Sequence, residues 1–138
     1  MTFEEVNRLL REYKSNKKLL DAEQRRIQEL RASVTDLRAT DYSRENVCKS
    51  REPNAFMESI LDRIARLERR AGTLIQNIFN IEDIIADNMD NLTPLESAIV
   101  IDRYMNGMSM RKICEIYHFE ERQPYRILQN AKRKMAGN

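Results

Sequence analysis

Apolar residues recur every seven positions along the first quarter of the chain, and this repeat constrains the fold more than any other feature. A strict seven-residue repeat keeps one stripe of a helix facing a partner helix, as in coiled coils. The repeated positions are Val6, Tyr13, Leu20, Ile27 and Val34, with companions at Leu9, Asn16, Glu23, Leu30 and Leu37. The pattern predicts a helix over about residues 3–39, opened by a capping box that begins at Thr2. Two companions, Asn16 and Glu23, are polar, and each would need a hydrogen-bond partner if buried.

A second helix with the same periodicity is predicted over residues 54–87, with Asn54 as its N-terminal cap. Its stripe consists of Met57, Ile60, Ile64, Leu67, Ala71, Leu74, Ile78, Ile81 and Ile85. Residues 40–53 lack the repeat and are predicted to form a loop. Two helices of similar length joined by a loop favour an antiparallel coiled-coil hairpin within residues 1–90. The same stripes would also serve packing between chains, so a homodimer through these helices is an open alternative.

Composition favours an all-α fold class. The chain has only three glycines and three prolines among 138 residues, too few for the frequent turns of a β-sandwich or barrel. No apolar run approaches the ~20 residues of a membrane span, and the N-terminus lacks the pattern of a signal peptide. These features predict a cytoplasmic protein without a membrane partner, in which Cys48 and Cys114 are free thiols.

Residues 91–138 are predicted to form a second domain that begins with a well-marked helix. The run Thr93-Pro94-Leu95-Glu96 is a capping box with proline at the first helical position, where its missing N–H costs nothing. Gly107 stands where the left-handed residue that ends a helix is expected. The sequence therefore predicts a helix that starts after Thr93 and ends before Gly107.

Two further helices are predicted beyond this glycine. Ser109 can cap a short helix over about residues 110–117, and a turn is expected at His118-Phe119-Glu120. The last helix is expected over about residues 121–136, and Pro124 moves its start towards Gln123 because proline inside a helix removes a hydrogen bond. A short helix, a tight turn and a longer helix form the plan of a helix-turn-helix domain.

Charge is unevenly distributed along the chain. Residues 103–138 carry eight Lys or Arg against three Asp or Glu, whereas residues 1–102 carry 16 against 19. A basic C-terminal region on a near-neutral body indicates a polyanionic partner, such as nucleic acid, bound at one end.

Residues 92–135 resemble region four of bacterial sigma factors. The matching features are the cap Leu92-Thr93-Pro94, the pair Arg103-Tyr104, the step Gly107-Met108-Ser109 and the helix-turn-helix motif that follows without gaps. The whole chain resembles the small phage- and prophage-encoded transcriptional regulators of the ArpU/RinA type. Three positions depart from the family pattern: His118 replaces a turn glycine, Glu120 a capping Ser or Thr, and Pro124 a core Val or Ile.

The resemblance implies that the last helix is a recognition helix, which enters the major groove of DNA. The residues then expected to read bases are Glu121, Arg122, Gln123, Arg126 and Asn130. Their side chains suit the task, since Arg can bond guanine, Gln and Asn can bond adenine, and Glu can accept from cytosine. The residues expected to contact the DNA backbone are Ser109, Arg111, Lys112, Arg133 and Lys134. For Tyr125 we favour a place in the core over a contact with a sugar.

These features predict a sequence-specific, double-stranded DNA-binding transcriptional regulator in the cytoplasm of a bacterial host. RNA polymerase is a second partner that the resemblance implies. The alternatives are a DNA-packaging subunit similar to a small terminase, and a coiled-coil protein-interaction module. An enzyme is not expected, because His118 is the only histidine and the sequence shows no phosphate-binding glycine loop or metal-ligand cluster. No metal and no cofactor are therefore predicted.

Overall fold

A computed structural model describes the backbone of residues 1–43 and 52–137 and the side chains of residues 1–38 and 55–137. These residues form helices and turns and include no strand, which confirms the all-α fold class. The helices are α1 (Phe3–Ser43), α2 (Glu52–Asp87), α3 (Pro94–Val100), α4 (Met110–Tyr117) and α5 (Gln123–Met135), with a π-helical turn at Ile101–Met105. None of the described helices is both long and apolar enough to cross a membrane.

The ends of the long helices differ from their predicted positions. The capping box at the start of α1 forms as expected, with the Thr2 amide 2.7 Å from Glu5 Oε2 and the Glu5 amide 3.2 Å from Thr2 Oγ1. No glycine or proline interrupts residues 3–52, and α1 continues to Ser43. Asn54 lies inside α2 and does not cap it, because Pro53 occupies the first turn, where proline is tolerated. Cys48 and the centre of the predicted loop lie outside the described residues.

One compact unit of the chain comprises residues 18–76. Its core is built from the seven-residue repeats of both long helices. The buried members are Ile27, Leu30, Val34, Ile60, Ile64 and Ala71, with Leu20, Leu37, Met57 and Leu67 partly buried beside them. The repeat therefore identifies the face that α1 and α2 bury in this unit.

Ion pairs also join the two long helices in this unit. Arg31 on α1 pairs with Glu68 on α2. The polar repeat member Glu23 is buried, with its Oε1 3.7 Å from Arg70 Nη2 and its Oε2 without a hydrogen-bond partner. Glu23 therefore has an ion-pair partner on one oxygen, at a distance longer than a hydrogen bond.

The other compact unit combines residues 1–17 with residues 77–138. Its buried apolar residues include Val6, Leu10, Tyr13, Ile78, Ile81, Ile85, Ile99, Val100, Ile113, Leu128, Ala131 and Met135. The Tyr13 hydroxyl donates to Glu82 Oε1 at 2.6 Å, and burial together with this bond raises the pKa of Tyr13.

Leu10 is fully buried whereas Leu9 is half-buried, so the companion of Val6 lies four residues after it and not three. The expected domain division at residue 90 remains a prediction.

Candidate nucleic-acid interface

The candidate site is built on three short helices, and the first of them, α3, starts at the predicted capping box. Thr93 has an extended backbone, and its Oγ1 accepts from the Glu96 amide at 3.2 Å. Pro94 occupies the first turn. Gly107 adopts the expected positive φ of 69° after the π-helical turn. The predicted cap, the proline in the first turn and the left-handed glycine are therefore confirmed. The π-helical turn between them was not predicted.

A bonded network surrounds the π-helical turn. Asp102 Oδ2 accepts from the Tyr117 hydroxyl at 2.5 Å, and Asp102 Oδ1 accepts from Asn106 Nδ2 at 3.1 Å. Arg103 Nη1 donates to the Met108 carbonyl at 2.9 Å. The hydrogen bond to Asp102, followed by burial, raises the pKa of Tyr117. These bonds fix the end of α4 on the segment that precedes it.

The turn between α4 and α5 is tight. Ser109 caps α4 by accepting from the Lys112 amide at 3.2 Å, as predicted. His118 ends α4 in the left-handed conformation, with φ at 56°, and its amide bonds to the Cys114 carbonyl. The Phe119 amide bonds to the same carbonyl at 3.0 Å. A histidine therefore adopts the conformation that glycine adopts most easily, and the turn forms without the glycine of the family pattern.

Helix α5 begins at Gln123, so Pro124 lies in its first turn and removes no helical hydrogen bond. The N-cap residue, Arg122, makes no side-chain cap bond. Four apolar side chains of α5 are buried: Pro124, Leu128, Ala131 and Met135. Their spacing of three and four residues defines the inward face.

The opposite face of α5 is polar and exposed. Arg126, Asn130 and Arg133 are spaced four and three residues apart, so they lie on one stripe. Together with Tyr125 and Gln129 they line a shallow depression. A neighbouring depression at the start of the helix is lined by Glu120, Glu121, Arg122, Gln123 and Arg126. The five residues expected to read bases are therefore exposed on adjoining surfaces, with Arg126 common to both.

Tyr125 does not take the core position that we expected. Its side chain is exposed, at 55% of its accessible area. The reason lies in the helical period, because Pro124 points inward and the next residue is turned about 100° away from it. Once Pro124 is taken as an inward residue, the sequence itself indicates this exposure. Tyr125 also lines a groove of about 540 Å³ between α4 and α5, with Met110, Cys114 and Phe119 in its wall.

The residues expected to contact the DNA backbone divide into two groups. Ser109, Arg111, Lys112 and Arg133 are exposed. The Arg111 side chain is 92% exposed, and its Nε lies 3.9 Å from a carboxylate oxygen of Glu115, one helical turn away. A pair with this exposure contributes little to stability and leaves the cation available.

Lys134 belongs to the second group, because its ammonium lies 2.6 Å from Glu96 Oε1. Burial by itself would raise the pKa of the Glu96 carboxyl, but bonds from Lys134 and Thr93 outweigh it and hold the pKa below its ordinary value of 4.5. Lys132, which the sequence did not single out, is buried, with Nζ 5.3 Å from the centroid of the Tyr104 ring. Of the basic residues in the last turn of α5, Lys132 is thus buried, while Lys134 has a 40% exposed side chain whose ammonium is bound to Glu96.

The described residues contain no group of three or more His, Cys, Asp or Glu side chains placed to hold a metal ion. Cys114 is a free thiol, as predicted, and its Sγ lies 3.7 Å from the Glu120 carbonyl oxygen. No protein-family model, curated protein or solved structure matches the chain. The resemblance to sigma region four therefore remains a prediction that rests on the quoted residues.

Proposed function

We propose that this chain is a sequence-specific, double-stranded DNA-binding transcriptional regulator that acts through a helix-turn-helix formed by α4 and α5. The observation that carries this proposal is the exposed stripe Arg126, Asn130 and Arg133 on a helix whose opposite face is packed into the protein. An exposed helix rich in Arg, Asn and Gln presents the side chains that bond base edges in the major groove. The tight, capped turn before this helix supports its assignment as the recognition helix.

In this proposal the two surfaces have different roles. Glu121, Arg122, Gln123, Arg126 and Asn130 read base edges, while Ser109, Arg111, Lys112 and Arg133 contact phosphates. Phosphate contacts fix the register of the protein on the duplex, and base contacts provide the specificity. The chain has no catalytic role in this account and needs no cofactor.

The long helices supply the remaining parts of the proposal. Glu23 pairs with Arg70 and Arg31 pairs with Glu68, so the residue numbers fall on α2 as they rise on α1. This order supports an antiparallel coiled-coil hairpin over residues 1–90, followed by the DNA-binding domain over residues 91–138. Together with the resemblance to regulators of the ArpU/RinA type, it supports a phage or prophage protein of the bacterial cytoplasm that also contacts RNA polymerase.

Selection of binding sites from a random pool of duplex DNA tests the proposal, at about 150 mM salt, where nonspecific binding is weak. We expect one enriched motif. A palindrome with half-sites one helical turn apart would add a symmetric dimer through the long helices. Absence of any enriched motif would contradict sequence-specific regulation.

The length of α1 and α2, 41 and 36 residues, favours one alternative, a DNA-packaging subunit that assembles through its helices. The mass of the protein in solution separates the two functions. A monomer or dimer supports regulation, whereas a ring of many subunits supports packaging. A chain that binds no DNA even at low salt would be a protein-interaction module.

A further inference from the structure

Glu96 is a buried carboxylate in the first turn of α3, and its cationic partner lies near the C-terminal end of α5. Only 8% of the residue is exposed. Its Oε1 accepts from Lys134 Nζ at 2.6 Å and from Thr93 Oγ1 at 3.0 Å, while its Oε2 has no hydrogen-bond partner. A buried carboxylate that loses its cation is strongly unfavourable. The Lys134 side chain is 40% exposed, but moving its ammonium to a DNA phosphate would leave the buried Glu96 carboxylate without its cation.

The two residues before Lys134 on α5 differ in their exposure. Lys132 is buried beside the ring of Tyr104, and Arg133 between the two lysines is exposed. Contacts at positions 132 and 134 hold the helix on both sides of residue 133. Since Arg133 lies seven residues after Arg126, these contacts set the rotation of the exposed stripe about the helix axis.

We propose that Lys134 and Glu96 are positioning residues, which fix the rotation of the recognition helix on α3, and that Lys134 does not contact phosphate. This inference rests on the proposed function. It divides the basic residues of α5 into Arg126 and Arg133, which face the DNA, and Lys132 and Lys134, which orient the helix.

The experiment compares three variants of the full chain: Lys134→Gln, Glu96→Gln and Arg133→Gln as the matched control. Binding is measured at several salt concentrations, on a duplex enriched from the random pool and on a scrambled duplex. All measurements are made below the Tm of each variant, determined by circular dichroism.

Arg133→Gln should weaken binding to both duplexes equally and reduce the log–log salt slope by about 0.9, the value for one lost phosphate contact. Lys134→Gln should leave the slope unchanged. It should instead reduce the preference for the enriched duplex by about fivefold or more, because misplaced side chains lose base contacts.

Glu96→Gln tests whether loss of this carboxylate strengthens or weakens DNA binding. If only charge mattered, removing an acid would strengthen binding to DNA. The positioning role predicts the opposite, a weaker preference for the enriched duplex. The inference is overturned if Lys134→Gln lowers the slope by about 0.9, or if Glu96→Gln strengthens binding. It is equally overturned if both variants lower the Tm and leave the preference unchanged.

A wild-type chain that fails to bind DNA would overturn the proposed function. In that case, the Tm values of Glu96→Gln, Lys134→Gln and the double variant still report on the pair itself. Effects on the Tm that do not add show that the two side chains are energetically coupled. Additive effects show that the pair does not orient α5.

Discussion

His118 adopts a left-handed backbone conformation that residues other than glycine rarely adopt. Among the described residues it is the only one other than glycine with a positive φ, at 56°. The left-handed conformation costs a residue with a Cβ about 1–2 kcal/mol relative to the right-handed one. Because this conformation ends α4 and opens the turn to α5, the strain lies directly beside the proposed recognition helix.

We expect His118→Gly to stabilise the protein by about 0.5–1 kcal/mol, since the relief of strain exceeds the greater freedom of glycine in the unfolded chain. Urea unfolding followed by circular dichroism measures the change. Gly107→Ala is the control, because alanine at a φ of 69° should destabilise the protein. Destabilisation by His118→Gly would show that a contact of the imidazole stabilises the fold by more than the backbone strain destabilises it.

Arg126 is the residue that lines both depressions on the proposed recognition helix. We expect Arg126→Ala to lose about 1–3 kcal/mol of binding free energy on the preferred duplex and to relax specificity at one base pair. Arg111→Ala is the control, and should weaken binding to all duplexes to a similar extent. Equal losses on every sequence from both variants would exclude Arg126 from base reading.

Single residues were predictable from the sequence where the signal is local. The caps at Thr2, Thr93 and Ser109 each depend on a side chain and an amide three residues away. The pairing of Lys134 was not predictable, because its partner Glu96 lies 38 residues earlier in the chain. A lysine near a helix C-terminus is ordinarily solvated, so nothing local distinguished this one.

At the scale of helices, Gly72 is a weak point in the middle of α2. It lies next to the buried Ala71 but is itself exposed, and a Cβ added there would meet nothing within 4 Å. No close approach of another helix therefore requires glycine at this position. Glycine in a helix interior costs about 1 kcal/mol relative to alanine.

Gly72→Ala should accordingly stabilise the protein by about 1 kcal/mol. Thermal unfolding measures the effect. Thr73→Ala, at the next exposed position of the same helix, is the control, and it combines a gain in helix propensity with loss of the bond from the Thr73 hydroxyl to the Arg69 carbonyl at 3.2 Å. DNA binding should not change. A loss of stability in Gly72→Ala would show that α2 needs flexibility, or an interchain contact, at this point.

The presence of each helix was predictable from the spacing of its apolar residues. The positions at which the helices begin and end were the least predictable. Apolar repeats and caps identify five helical segments, but α1 runs past its predicted end because residues 40–43 contain no breaker. The start of α5 at Gln123 follows from Pro124, because an α-helix tolerates proline only in its first turn. The π-helical turn was not predictable from local signals, and its residue Asp102 bonds to Tyr117, 15 residues later in the chain.

For the whole molecule, the proposed function predicts that the division of basic side chains determines how salt affects DNA binding. With Lys134 paired to Glu96, the proposed cationic contacts to phosphate are Arg111, Lys112 and Arg133, and we expect a log–log salt slope of about −2.7. Fluorescence anisotropy on the enriched duplex at several salt concentrations measures this slope. A slope close to zero would contradict binding through phosphates, and a value twice as large would indicate that two copies bind one duplex.

The π-helical turn at Ile101–Met105 makes this part of the chain sensitive to insertions and deletions. Its bond from the Asn106 amide to the Ile101 carbonyl spans five residues, so the turn holds one residue more than an α-helical turn. Loss of one residue would restore a regular helix but would rotate the side chains on one side of the deletion by about 100°. Asp102 and Tyr104 could then no longer face Tyr117 and Lys132 together. We therefore expect related chains to keep the same number of residues between the two capping residues, Thr93 and Ser109.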